Sequence, residues 1–120
     1  MKKKFDVVLL EEVWEFLDSL DEKSRDKILY NLDKSKFVND PELFKKIDEV
    51  IWEFRTKYKK TLFRLLSFWD KAGNENTLVI ATHGIVKKSG KIPKAEIEKS
   101  KAIKKLYFEE KINKTNHGKE

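Results

Sequence analysis

Apolar positions change period along this chain, and the change marks out its elements. Phe5, Val7, Val8 and Leu9 read as a short strand, after which Leu10, Val13, Trp14, Leu17 and Leu20 recur at helical spacing. Asp21 stands where an N-cap belongs, followed by acidic Glu22, and Ile28, Leu29, Leu32 and Phe37 fall on one face of a second helix. The two helices read as a hairpin. Asp40-Pro41 then predicts a cap with proline at the first helical position and one short turn through Leu43 and Phe44.

Beyond this turn the pattern becomes strand-like. Ile51 to Arg55, Leu62 to Trp69 and Thr77 to Val86 are rich in β-branched or aromatic residues. Lys71-Ala72-Gly73-Asn74-Glu75-Asn76 is a turn signal, so the last two runs are expected to form an antiparallel hairpin, with another turn in Lys57 to Lys60. Pro93 opens a segment in which Ala95, Ile97, Ala102, Ile103 and Leu106 predict a terminal helix with a Lys- and Glu-rich outer face. The expected order is β-α-α-β-β-β-α. Trp14 and Trp52 fall on the apolar faces of their elements and are expected in the core, whereas Trp69, at a strand end, is expected to be exposed.

Length adds that 120 residues suit one domain with a real core, placed at residues 1–110, while the polar stretch 111–120 is expected to fray. The sequence has no cysteine and only two histidines, which excludes disulfides and thiolate metal sites and argues against a structural metal or cofactor. No apolar run approaches the length of a membrane span, and Met1-Lys2-Lys3-Lys4 is not followed by a signal-peptide core, so a cytoplasmic protein without membrane contact is expected. Charge is distributed unevenly. Residues 1–54 hold 10 basic against 14 acidic residues and residues 55–120 hold 17 against 7, so the overall +6 hides a bipolar chain whose second half suits a polyanion such as RNA.

Residues two apart in a strand share a face, so one sheet face is expected to gather Arg55, Arg64, His83 and Lys87 if the strands pair in a suitable register. In the last strand, this alternation groups Val79 and Ala81 with His83, Ile85 and Lys87. Such a set suits RNA cleavage by attack of a 2′-hydroxyl, which needs a proton acceptor, a donor for the leaving oxygen and positive charge beside the phosphate. His83, with an ordinary pKa of about 6.5, is a general base or acid, or else a hydrogen-bonded packing residue. Arg64, flanked by apolar residues, must face either a carboxylate such as Glu53 or a functional concavity, because an unpaired buried guanidinium is costly. Lys87, Lys88, Lys91 and Lys94 form either a solvated basic edge or, with Arg64, Arg55 and Lys57, a phosphate track.

Trp52-Glu53-Phe54-Arg55, Leu62-Phe63-Arg64-Leu65-Leu66, Thr82-His83-Gly84-Ile85-Val86-Lys87-Lys88 and Ile92-Pro93-Lys94-Ala95-Glu96-Ile97, in that order, resemble the RelE/ParE toxin superfamily, and within it the HigB-like toxins of phage-derived type. The resemblance covers about residues 5–107. It implies an α+β fold in which an antiparallel sheet of about four strands packs on a helical hairpin, with a C-terminal helix. It further implies a type II toxin–antitoxin toxin that cleaves messenger RNA on the ribosome without a metal. Arg64, His83 and Lys87 become the catalytic candidates, with Arg55, Lys57, Lys88, Lys91 and Lys94 for RNA. Departures from the pattern are Glu53 within a strand where RelE toxins carry lysines, and Ile92-Pro93 in place of Thr-Pro at the helix start. The tyrosine of the RelE site is not carried over to Tyr107. Implied partners are a cognate antitoxin with a helix-turn-helix domain, the ribosome and messenger RNA; specific DNA binding by this chain alone is not expected, since no recognition helix stands out. The competing functions are a ParE-like inhibitor of DNA gyrase and a non-catalytic relative that acts through its antitoxin.

Overall fold

The computed structural model describes residues 2–71, 78–87 and 90–118, with side chains to Asn113 and Lys114 at the end of the last helix. Its elements are β1 (Asp6–Leu9), α1 (Glu11–Asp18), α2 (Glu22–Ser35), β2 (Phe44–Lys46), β3 (Trp52–Tyr58), β4 (Thr61–Asp70), β5 (Leu78–Lys87) and α3 (Lys94–Gly118). The class is α+β, as expected. The sheet has five strands in the order β1-β5-β4-β3-β2, and it is mixed, because β1 runs parallel to β5. The expectation of about four antiparallel strands is corrected on both counts. β2 escapes a pattern reading because Phe44-Lys45-Lys46 is a three-residue edge strand with two exposed lysines and no alternation to read.

Local chemistry explains the element starts. The Asp21 carboxylate accepts from the Ser24 backbone N–H at 3.1 Å, satisfying a free donor at the start of α2 as the N-cap reading requires. The Asp40–Leu43 turn closes through Leu43 N–H to the Asp40 carbonyl at 2.9 Å, with the Asp40 side chain accepting from Glu42 N–H at 2.9 Å. Phe44 leaves that turn to begin β2, and Phe37 lies beyond the end of α2. β3 and β4 are joined at Lys59-Lys60, both at positive φ (48° and 67°), which a tight hairpin matched to strand twist demands even though lysine adopts it reluctantly. β4 and β5 do pair antiparallel; their expected turn, apart from Lys71, lies outside the described residues. α3 follows Pro93 directly and runs to Gly118, across the segment whose composition suggests fraying.

The sheet is covered on both faces. Val13 and Leu17 of α1 and Ile28 and Leu32 of α2 pack with Phe5, Phe54, Phe63, Leu65, Val79 and Ala81 on one side. On the other, α3 lays Ile97, Tyr107 and Phe108 against Ile51, Leu66, Phe68 and Ile80. Trp14 is 49% exposed and is corrected from core to surface: it sits about 100° around the helix from Val13, off the stripe that Val13 and Leu17 bury. Trp52 and Trp69 are both half-buried. A bulge disturbs β5, where Leu66 of β4 pairs with His83 and Ser67 with Ala81, leaving Thr82 as the extra residue. Simple alternation therefore fails there. Val79 and Ala81 face the hairpin, whereas His83 approaches Glu96 of α3.

Candidate active site

Register places Arg55 of β3, Arg64 of β4 and Ile85 of β5 side by side, with Lys87 opposite Leu62 one step along the same face. The bulge at Thr82 restores His83 to this face, so the register assembles the expected row. Arg55, Arg64 and Lys87 line a cavity of about 380 Å³ together with Lys45, Lys46 and Lys91. Glu53 is the carboxylate among its described lining residues, and Ile47, Ile92 and Ile97 supply the apolar part of the wall.

Glu53 lies between the two arginines. Its Oε1 is 3.1 Å from Arg64 Nε and its Oε2 is 3.8 Å from Arg55 Nε. Arg64 is 4% exposed and donates from Nη1 to the carbonyl of Phe63 at 3.0 Å. Arg55 is fixed from the side by the Asp40–Leu43 turn, through its N–H to the Leu43 carbonyl at 2.8 Å and Nη1 to the Pro41 carbonyl at 3.3 Å. Despite this proximity, Glu53 Oε1, Arg55 Nε and Arg64 Nε are buried outside hydrogen-bonding geometry. A close ion pair without aligned hydrogen bonds satisfies these buried groups only in part. Burial pushes the Arg64 guanidinium below its ordinary pKa, and Glu53 opposes that shift. Lys87 is likewise pushed down, first by burial and then by the charge of Arg64, with Glu53 opposing. Its ammonium donates to the carbonyl of Gly90, which also lines the cavity.

His83 shares the face but does not line the cavity. It is 1% exposed and covered by α3. Thr82 Oγ1 donates to the Leu66 carbonyl at 3.2 Å and is hydrogen-bonded to His83 Nδ1 at 3.0 Å and to Ser100 Oγ at 2.9 Å. Nε2 is left 3.7 Å from Glu96 without a hydrogen bond. Burial lowers the pKa of His83, Lys99 lowers it further, and Glu96 works in the opposite direction. Of the other expected RNA contacts, Lys91 lines the cavity, Lys57 is exposed two residues beyond Arg55 on the same face, and Lys94 is exposed at the start of α3. Lys88 lies outside the described residues.

Three cavity residues escape the sequence reading as site residues. Lys45 and Lys46 arrive on the unforeseen β2, and Glu53 enters only as an ion-pair partner for Arg64, although a carboxylate set between the apolar Trp52 and Phe54 of a strand is itself a signal. Tyr107 stands apart: its hydroxyl donates to Asp70 Oδ2 at 2.6 Å, beside Lys111 Nζ at 2.7 Å on the same oxygen. Burial and Asp70 raise its pKa to about 12, so it serves as a neutral anchor between α3 and β4.

Among the described residues, no cluster of three or more His, Asp or Glu side chains is placed to hold a metal ion, and no helix is long and apolar enough to cross a membrane. The arrangement can bind an anion against two guanidinium groups, accept a proton at a carboxylate and donate one from an ammonium. A comparison with curated proteins finds no match. The family model of the phage-derived protein Gp49-like family matches residues 15–105, which span all the described site side chains. On that match the chain belongs to the phage-derived Gp49-like family, a family of RelE toxin-like proteins.

Proposed function

We propose that this protein is the toxin of a type II toxin–antitoxin pair, of the HigB-like kind, and that it cleaves messenger RNA in the ribosomal A site. The observation that carries the reading is the cavity itself: Arg64 and Arg55 flank Glu53, with Lys87 across the floor. The substrate phosphate binds against Arg64 and Arg55 from the cavity side, beside the Glu53 carboxylate that lies between them; the guanidinium groups stay cationic and present paired donors. The 2′-hydroxyl attacks the adjacent phosphorus as its proton passes to the Glu53 carboxylate. The bond from phosphorus to the 5′ oxygen breaks, and that oxygen takes a proton from the Lys87 ammonium, whose lowered pKa favours release. The products are a 2′,3′-cyclic phosphate and a 5′-hydroxyl. Arg64 and Arg55 stabilise the charge that grows on the phosphate oxygens in the transition state.

His83 has a different part in this reading. Buried outside the cavity, it seats α3 on β5 through Thr82 and Ser100 and so holds Ile97 in the cavity wall. The protein works in the cytoplasm, and the basic mouth of the cavity is covered before activation by an acidic or amphipathic segment of a helix-turn-helix antitoxin.

Inducing the wild type and Arg64→Ala in cells, while mapping messenger RNA 5′ ends and ribosome positions together, tests the proposal. Cuts within A-site codons are expected from the wild type, and their frequency falls at least about 100-fold in the variant. Growth arrest with intact messenger RNA overturns the nuclease reading and turns attention to DNA gyrase; harmless expression of a folded protein points to a relative that acts through its antitoxin.

A further inference from the structure

A second and larger cavity, of about 770 Å³, opens where β3 begins and β4 ends. One wall is aromatic and rigid. Trp52 and Trp69 meet edge to face at 6.0 Å and 81°, Phe44 stacks on Trp52 at 4.8 Å and 23°, and Phe5 abuts Trp69 at 5.4 Å. Phe108 of α3 joins the lining from the other face of the sheet, in contact with Phe68 at 5.7 Å. Lys46, Lys71, Lys104 and Glu49 complete the charged part of the lining, with the Lys71 ammonium 5.8 Å from the centre of the Trp69 ring. Flat apolar walls surrounded by ammonium groups suit a flat, apolar-faced ligand that carries negative charge, and an unpaired nucleotide has that chemistry.

Position makes the case more specific. Lys46 lines both this cavity and the arginine cavity, so the two meet at one side chain. Trp52 is three residues from Arg55 along β3, about 10 Å at strand spacing and on the opposite face of the sheet. A polynucleotide held at Arg64 and Arg55 therefore reaches the tryptophan cavity by rounding the β2 edge of the sheet at Lys46.

We propose that the cavity between Trp52, Trp69 and Phe108 is a nucleobase subsite, which receives an unpaired base of the RNA next to the phosphate bound by Arg64. Lys46 and Lys104 neutralise the neighbouring phosphates, and the aromatic lining packs against the base. Stacking of this kind tolerates every base, so the subsite strengthens binding and fixes the RNA path without imposing a codon. The inference rests on the RNA-binding part of the function proposed above.

The test uses the full chain and a short single-stranded oligoribonucleotide, 2′-O-methylated throughout so that attack by the 2′-hydroxyl is blocked. Titration is followed by tryptophan fluorescence at low salt, and a single abasic site is moved along the oligonucleotide. The expected result is a change in emission, with an abasic site at one position weakening binding by about fivefold or more. Because the change is made in the ligand, protein folding is untouched. Lys104→Glu, checked for an unchanged circular dichroism spectrum, is expected to weaken binding and flatten the abasic profile. Intact and abasic oligonucleotides binding alike at every position overturn the subsite, as does a response to inorganic polyphosphate equal to that for RNA. The two proposals fail separately: A-site cuts in cells with a flat abasic profile remove the subsite alone, and a sharp abasic profile in a protein that leaves messenger RNA intact removes the nuclease alone.

Discussion

The hairpin side and the α3 side of the sheet share β3, β4 and β5, yet they bury different things. On the hairpin side Leu17, Val13, Ile28, Phe54 and Leu65 interlock with few polar groups among them. The α3 side begins in the same manner, with Ile51, Leu66, Phe68 and Ile80, and then gives way along the strands to Glu53, Arg55 and Arg64. Among the described residues, the buried side-chain atoms outside hydrogen-bonding geometry belong to Glu53, Arg55, Arg64 and His83, all on that side. A fold gains nothing in stability from such groups, since an apolar substitute of similar shape serves as well or better. The first three surround one cavity and His83 lies beside it beneath α3, which sets this side of the sheet apart from the apolar hairpin side.

The largest effect that breaks this comparison open is expected from Glu53→Gln. It keeps the side-chain shape, removes the proton acceptor and leaves Arg55 and Arg64 without their counter-charge. Cleavage in cells should fall about 10²–10⁴-fold, while affinity for a non-cleavable oligonucleotide should rise. Cleavage at the wild-type rate would remove Glu53 from the chemistry.

Leu17→Ala tests the opposite face. Leu17 is fully buried under β5, and its truncation should cost about 2–5 kcal/mol in the urea unfolding equilibrium. RNA affinity of the arginine cavity, read with an oligonucleotide too short to reach Trp52 and measured where the variant is still folded, should stay within about twofold of wild type, because Leu17 and the arginines stand on opposite faces of the sheet. A proportionate loss of RNA binding would show that the faces are coupled.

The smallest effect is a pH dependence at His83. The folded protein holds this imidazole below its ordinary value of 6.5, so below that pH the unfolded chain binds a proton that the folded one resists. The groups facing it are Thr82, Ser100, Glu96, Lys99 and Glu12, with burial and Lys99 prevailing over the two carboxylates. Its contribution to stability is complete above pH 6.5 and is lost as the pH falls through the lowered folded value. The thermal midpoint should therefore drop on acidification, and His83→Gln should make that drop shallower. An identical profile in the variant would assign acid sensitivity to other groups.

Much of this was readable from residue patterns where the pattern has one physical cause. Asp21 followed by Glu22 specifies a helix start, the runs at Leu62–Trp69 and Thr77–Val86 specify strands, and Arg55 and Arg64 share a face once β3 and β4 pair in the register that sets them opposite each other. What escaped depends on tertiary placement. The parallel pairing of β1 with β5 leaves no mark on either strand alone, and the Thr82 bulge changes which residues share a face without a glycine or proline to announce it. His83 was legible as an inward residue, but only the path of α3 shows that it lies beneath a helix and outside the cavity. Lys45 and Lys46 could not be placed because an edge strand this short carries no period.

The pairing of β1 with β5 also sets a schedule. Asp6 finds its neighbour at Leu78, so the first strand waits for a partner made much later. At translation rates of about 5–20 residues per second, the roughly 70 intervening residues take about 4–14 s to appear. Through that interval the apolar stripe of α1 and α2 has β3 and then β4 to lean on, but not β5, its remaining support. The arginine cavity closes later still, because Ile92 and Ile97 are wall residues. The nascent protein therefore emerges with its arginines already made and the cavity around them unfinished until synthesis is nearly over.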